Sequence, residues 1–295
     1  MWTATEWNDY EVLDTTGGEK LERWGDYILI RPDPQVIWQT GRRAPEWKRY
    51  NGHYHRSAKG GGSWEMRDLP EEWTIRYGSG NRQMRFRLKP FAFKHTGIFP
   101  EQAVNWDFCA ERIEKALADK PEGFRVLNLF AYTGAATISA ALAGAHVTHV
   151  DAAKGMVGWA KENAAESGVP AERTRWLVDD CLKFVQREKR RGNFYDGIIM
   201  DPPSYGRGPK GEIWKIEESV FPLIMETADL LSPDADFFLI NSYTTGLQPA
   251  VLAYMLGEAI AAKRGGFVEA DEIGLPVRQN KLILPCGASG RWVRG

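Results

Sequence analysis

From Phe124 onward, short apolar runs alternate with longer stretches of helical periodicity, and that alternation leaves few folds open. Strands are expected near residues 125–130, 146–151, 174–178, 195–200 and 235–241, with helices near 134–143, 153–167, 181–191, 214–230 and 247–263. Strands joined through helices run parallel and are buried on both faces, so helices must cover both sides of one sheet. Two more strands, near 267–273 and 280–285, have no helix between them and are expected to pair antiparallel. The fold class predicted is α/β, a seven-stranded sheet with helices on both faces.

Residues 1–90 carry a different pattern. The segments 27–30, 35–38 and 73–77 are β-branched or aromatic and are separated by Gly, Pro and Asp, as short strands are. At 295 residues the chain exceeds the usual single domain. A small β-rich domain over 1–90 and a sheet domain over 91–295 are therefore expected. Eight of the twelve tryptophans fall between Trp2 and Trp106, and in a small domain such bulk serves mainly as core.

Charge is segregated within the first part. Residues 42–89 hold twelve Lys/Arg and five Asp/Glu, a net of +7, whereas residues 1–41 hold three and eight. Arg82, Arg85 and Arg87 around Phe86, together with Arg42, Arg43, Lys48, Arg49 and a glycine loop at Lys59, mix cations and aromatics as single-stranded nucleic-acid binders do. A solvated strand face is the plain alternative. The net charge of −1 excludes a strongly basic protein overall.

No basic start precedes an apolar run, and no apolar stretch reaches the roughly 20 residues of a membrane helix, so a cytoplasmic protein without a membrane partner is expected. Cys109, Cys181 and Cys286 form no C-x-x-C pair, which signals neither disulfides nor zinc. The five histidines show no metal-ligand spacing with carboxylates, so no metal is expected. Monomer and homodimer stay equally open.

In open α/β sheets, ligands lie beyond the carboxyl ends of the strands. The first strand of the sheet runs into Asn128-Leu-Phe130-Ala131-Tyr132-Thr-Gly134, a tight turn followed by a helix of small residues. The second ends in Asp151-Ala152, whose carboxylate can accept both hydroxyl protons of a ribose. The third ends in Asp179-Asp180, where an acceptor can take a proton from an adenine amine; helix capping is the competing reading. The fourth ends in Asp201-Pro202-Pro203-Ser204-Tyr205. Two successive prolines lock an extended backbone, and fixed outward carbonyls can align an acceptor group.

These stretches, from Asn128 through Gly134, Asp151, Asp180 and Asp201 to Tyr205, resemble the successive motifs of class I S-adenosylmethionine-dependent methyltransferases. Among them the chain is most similar to the bacterial large-subunit ribosomal RNA methyltransferases, whose Asp-Pro-Pro-x-aromatic spacing it shares. The resemblance covers roughly residues 90–295 and implies a Rossmann-like sheet, S-adenosyl-L-methionine as cofactor, and RNA as partner. It implies cofactor contacts from Asn128, Phe130, Ala131, Tyr132, Gly134, Asp151, Ala152, Asp180 and Asp201. Through the similar segment 94–105, it implies further contacts from Phe99, Gln102 and Asn105 to the methionine part. Asp201, Pro202, Pro203 and Tyr205 would face the substrate.

Methylation at cytosine C5 needs a thiolate, because that carbon is inert until one adds to C6. The turns after the fourth and fifth strands have no cysteine. Amino methyltransferases place their aromatic directly after the prolines, whereas Ser204 intervenes here. What remains is a lone-pair nucleophile such as a ring nitrogen or an oxygen, with Arg207 and Lys210 placed to grip phosphate. Three other readings stay open: a methyltransferase for a small molecule or protein, an oxidoreductase using a dinucleotide, and a non-enzymatic RNA-binding module. Asp151 suits NAD equally, but the G-x-G-x-x-G that a pyrophosphate needs is absent.

Overall fold

The computed structural model describes residues 1–57, 61–91, 94–119, 123–207 and 213–295. They form two compact units, one of residues 2–104 and 274–286, the other of residues 105–273 and 287–295 with Met1.

The first unit opens with β1 (Trp2–Thr3), β2 (Tyr10–Thr16), β3 (Glu19–Trp24), β4 (Tyr27–Pro32), β5 (Gly52–Arg56) and β6 (Gly62–Met66). Strands β2 to β6 form a sheet in sequence order, and β7 (Trp73–Tyr77) with β8 (Met84–Leu88) forms a separate ribbon. Leu13, Leu21, Ile30, Ala44 and Trp47 cluster in its interior. Asp14 fastens the segment after β4, its Oδ2 accepting from the backbone N–H of Arg43 and Ala44 and from Nε1 of Trp47. A buried Glu22 carboxylate receives Nε and Nη2 of Arg31 at 2.6 and 2.8 Å and the Tyr10 hydroxyl at 2.7 Å.

Residues 35–38 are not a strand. Flanked by Pro32 and Pro34, the segment lies along the β2–β3 turn, where Val36 and Trp38 carbonyls accept from Gly18 and Gly17, and Ile37 is exposed. Alternation alone suggested a ladder, but the N–H groups of Val36 and Ile37 turn back on the Asp33 and Gln35 carbonyls instead.

The second unit holds the sheet. Helix α1 (Ala103–Asp119) leads to β9 (Arg125–Leu129), α2 (Ala135–Leu142), β10 (His146–Asp151), α3 (Lys154–Glu166), β11 (Thr174–Val178), α4 (Cys181–Arg191) and β12 (Gly197–Met200). A short hairpin of β13 (Tyr205–Arg207) and β14 (Ile213–Lys215) precedes α5 (Ile216–Ala228) and β15 (Phe237–Ser242). Then come α6 (Pro249–Leu256), continued through a π-turn to α7 (Ala262–Arg264), and the last strands β16 (Phe267–Pro276) and β17 (Ile283–Val293). Among the strands of this unit the order is β16-β17-β15-β12-β9-β10-β11. Strands β9, β10, β11, β12 and β15 are parallel, and β17 enters antiparallel to β15.

Both sheet faces are buried. Leu127, Leu129, Ile198, Met200 and Phe238 pack toward α4, α5 and α6, while Val126, Val147, Ile199 and Leu239 pack toward α1 and α2. The last strand begins later than residues 280–285 suggest and runs to Val293. Its Gly287 and Gly290 allow close approaches, because a Cβ at Gly290 would stand 3.0 Å from Leu252 and one at Gly287 would stand 2.9 Å from the Ser242 carbonyl.

Candidate functional site

Adjacent parallel strands deliver their carboxyl ends side by side. Leu129 of β9 registers with Val150 of β10 and Met200 of β12, and Asp151 with Val178 of β11. The order changes direction at β9 and β12, the switch point at which open α/β sheets bind ligands.

The 130–134 loop leaves β9 in a strained form. Phe130 and Tyr132 both have positive φ, 56° and 49°, a region that non-glycine residues occupy rarely and usually at functional sites. The surroundings impose it. Phe130 N–H donates to Sγ of Cys181, Ala131 N–H to the Val150 carbonyl at 3.1 Å, and Tyr132 N–H to Oδ2 of Asp151 at 2.9 Å. Nδ2 of Asn163 holds the Thr133 carbonyl at 3.0 Å. Gly134, at φ 87°, starts α2 so close to α3 that a Cβ would lie 2.9 Å from that of Ala160.

Asp151 stands at the centre of this array. Its Oδ1 accepts from the Ala153 N–H at 2.8 Å while Oδ2 takes Tyr132, and each oxygen keeps a further acceptor position. Burial raises its pKa against those two hydrogen bonds, so donors from a ligand would be well received by the charged form. Ala152 beside it is exposed. The neighbouring Asp180 caps α4, accepting from Lys183 N–H at 2.9 Å, and Asp179 is ion-paired with Arg187. Capping engages only Oδ1 of the exposed Asp180.

Asp201 follows β12 with its N–H toward the Leu129 carbonyl. The turn after it is clasped from two directions. Nε1 of Trp214 donates to the Pro203 carbonyl at 2.6 Å, and its ring lies 5.7 Å from that of Phe130. Ser204 Oγ meets Thr244 Oγ1 at 2.6 Å, tying the turn to the loop after β15. Pro202 is buried, and Tyr205 is 53% exposed on the β13–β14 hairpin.

This constellation has counterparts. A family of S-adenosylmethionine-dependent methyltransferases matches residues 40–238. The chain belongs to that family. A ribosomal RNA large subunit methyltransferase K/L from Shewanella frigidimarina is 31% identical over 171 residues, covering 57% of this chain and 22% of the relative. Its counterpart from Shewanella oneidensis is 30% identical over a stretch of the same extent. The chain thus spans about a fifth of the length of these curated relatives. Among solved structures, an S-adenosylmethionine-dependent methyltransferase from Agrobacterium tumefaciens superposes with a TM-score of 0.89 at 32% identity, covering 100% of this chain and 93% of that one. A structure from Streptococcus mutans, at 18% identity and a TM-score of 0.71 over 98% of this chain and 76% of that one, shares the fold.

Other residues singled out in the sequence of this methyltransferase take different places. Asn128 is buried, and its amide donates to Thr137 Oγ1, which in turn meets Nδ1 of His149; the three join β9, α2 and β10. Burial, with Lys161 nearby, lowers the His149 pKa to about 3, so the ring is neutral and can accept. Asn105 is equally committed, donating to Asn241 and Ser289 and accepting from Arg291. Phe99 and Gln102 lie in the first unit, at the ends of a single 3-10 turn that closes with Gln102 N–H on the Phe99 carbonyl.

Arg82 sits in the turn before β8, and Arg85 and Arg87 lie on β8. Phe86 between them is fully buried and unavailable for stacking on a base, because alternation sends it to the ribbon's inner face. The outer face instead places Arg85 directly opposite Arg76, a like-charge pair that composition alone concealed. Arg87 is ion-paired with Glu72 at 2.5 Å. Arg207 ends β13, and Lys210 and Lys59 lie outside the described residues.

The cysteines are held as thiols. Burial pushes Cys109 up to about 12 and Cys181 higher still, and Cys181 serves the loop as the acceptor for Phe130. The histidines do gather with a carboxylate once folded: His53, His55 and Glu65 bring ligand atoms within 4.8 Å of one another. Spacing hid this, because Glu65 comes from the facing strand of a hairpin. No described helix is long and apolar enough to cross a membrane.

Proposed function

We propose that this enzyme moves the methyl group of S-adenosylmethionine onto a base of RNA without a cysteine nucleophile. The donor, when bound, supplies an electrophilic methyl carbon on sulfur. Asp151 is the observation that carries the donor side: both its oxygens are aimed by backbone N–H groups and both keep room for a ribose hydroxyl. Asp180 takes the adenine amine on Oδ2, and Ala152, exposed next to Asp151 in the chain, borders the ligand. Phe130, Ala131, Tyr132 and Gly134 form the floor.

The acceptor is held by Asp201 and the carbonyls of Pro202 and Pro203, with Tyr205 as a stacking surface. A fixed turn suits a lone-pair nucleophile, which needs alignment behind the methyl carbon and somewhere to pass its proton. The RNA reading is supported by the names of the Shewanella relatives and by the Arg76, Arg85 and Arg87 face of the β7–β8 ribbon, with Arg82, Arg207 and Lys210 as further contacts to phosphate. Such a substrate places the reaction in the cytoplasm.

Incubation with methyl-labelled donor and separation into RNA, protein and metabolite fractions tests this. Label is expected in RNA, and label confined to the other fractions rejects it. A small-molecule or protein acceptor is the second reading, favoured by the net charge of −1.

A further inference from the structure

We propose that the β5–β6 hairpin of the first unit holds a divalent transition metal, Zn²⁺ in the first instance, on His53, His55 and Glu65. The strand geometry makes the set. His53 and His55 are two apart on β5 and share a face, and Glu65 of β6 stands directly opposite His53 in the antiparallel register. The two imidazoles lie 3.9 Å apart between centroids, and one ligand atom from each of the three residues falls within 4.8 Å of the others.

The carboxylate is oriented toward this point. Oε1 of Glu65 is taken by the Tyr50 hydroxyl at 3.1 Å and by Arg67 at 2.5 Å, which leaves Oε2 directed at Nε2 of His55, 3.0 Å away. Two ligands at about 2.1 Å from a tetrahedral ion lie about 3.4 Å apart, so a metal replaces the shared proton with a small outward shift. His53 is fixed in the same manner, its Nε2 meeting Glu19 Oε1 at 2.6 Å. Donating there leaves the lone pair on Nδ1, the carboxylate–histidine arrangement that accompanies metal ligation. His53 is 9% exposed, whereas His55 and Glu65 open to solvent and give an ion its path of entry.

Two imidazoles and one carboxylate form a borderline donor set, suited to zinc and its late first-row neighbours and poorly suited to Mg²⁺ or Ca²⁺. Two arginines, Arg42 on Glu19 and Arg67 on Glu65, already balance the carboxylates, so binding draws on the imidazole lone pairs and must compete with protons for them. The remaining positions on the ion go to water.

Calorimetric titration of chelator-treated protein with Zn²⁺, and with Mg²⁺ for comparison, tests the site. One equivalent of Zn²⁺ is expected, with no heat from Mg²⁺ and with affinity falling at least tenfold in His55→Ala and further in His53→Ala/His55→Ala. Circular dichroism and the melting temperature, measured on the same samples, are expected to stay unchanged and so report that the variants are folded. Absence of zinc binding at about 100 µM, or equal affinity in the folded variants, overturns the proposal and leaves the group as ion pairs only.

Discussion

The backbone N–H of Tyr132 donates to Oδ2 of Asp151 at 2.9 Å, so the loop leaving β9 and the carboxylate ending β10 are one mechanical piece. Tyr132 is held at φ 49° by that bond and its neighbours. On the proposed reading, the donor site is organised before a ligand arrives, and its parts should fail together.

If Asp151 receives the ribose as proposed, Asp151→Ala removes both acceptors and the brace on the loop. Charge-assisted hydrogen bonds contribute about 1.5–3 kcal/mol each, so donor affinity should fall at least roughly tenfold. Calorimetry with S-adenosylmethionine measures it; an unchanged dissociation constant would put the ribose elsewhere. Affinity should also weaken as pH drops into the acid range, because ligand hydroxyls bind the ionised carboxylate and burial has already raised its pKa.

Trp214→Phe keeps a ring against Phe130 but deletes the 2.6 Å bond to the Pro203 carbonyl. On the proposed reading, the turn that aligns the acceptor loosens while the donor loop keeps its packing. The expected result is a kcat lowered several-fold, up to about tenfold, with little change in donor Kd. Equal losses in both would show that Trp214 acts through Phe130 instead.

Cys181→Ser should retain most methyl transfer. The thiol is buried, held far above its ordinary pKa, and engaged with the Phe130 N–H, which a hydroxyl can also accept. A stability loss of about 1–2 kcal/mol is expected from the changed packing. A thousandfold fall in kcat at unchanged melting temperature would instead mark Cys181 as a nucleophile.

Arg76 and Arg85 stand opposite each other on the β7–β8 ribbon, and the RNA reading makes them phosphate contacts. Changing both to Ala should weaken RNA binding and lower the slope of log affinity against log salt by roughly one per lost phosphate contact. Filter binding at several salt concentrations reads this, and an unaltered slope would remove the ribbon from the RNA surface.

Glu22→Gln should cost about 3–5 kcal/mol, because it leaves Arg31 and Lys20 buried with less than their full partner. Burial opposes the ionised Glu22, but Arg31 and Lys20 outweigh it and hold the carboxyl well below its ordinary 4.5. A depressed carboxylate stabilises the fold fully above its unfolded pKa, so this contribution persists at neutral pH and is lost as the pH falls below about 4.5. Denaturant melts of wild type and variant should converge in acid. A gap that persists there contradicts the pairing.

Much of the sheet was legible because the signals are local. Apolar runs, helical periodicity and the Asp that ends each strand are written within a few residues, and β9 to β12 begin or end close to where pattern places them. Asn128 and Asn105 illustrate the limit. A polar residue next to a ligand turn looks the same in sequence whether it faces the ligand or, as here, donates to Thr137 or to Asn241 across the core. Trp214, Thr244 and Asn163 escaped because nothing local ties them to Pro203, Ser204 or Thr133, their partners lying 11 to 40 residues away.

What the sequence by itself determined is the α/β class, the order of strands and helices, and the carboxylates at their ends, since each depends on short-range periodicity and on proline and glycine geometry. The tertiary structure decided which groups those carboxylates meet. It bound Asp151 to Tyr132, paired Asp179 with Arg187, buried Phe86 under its arginines, and set Glu65 beside His53 and His55. Each of these follows from strand register and helix packing over long separations, where one residue of slip turns a side chain to the other face.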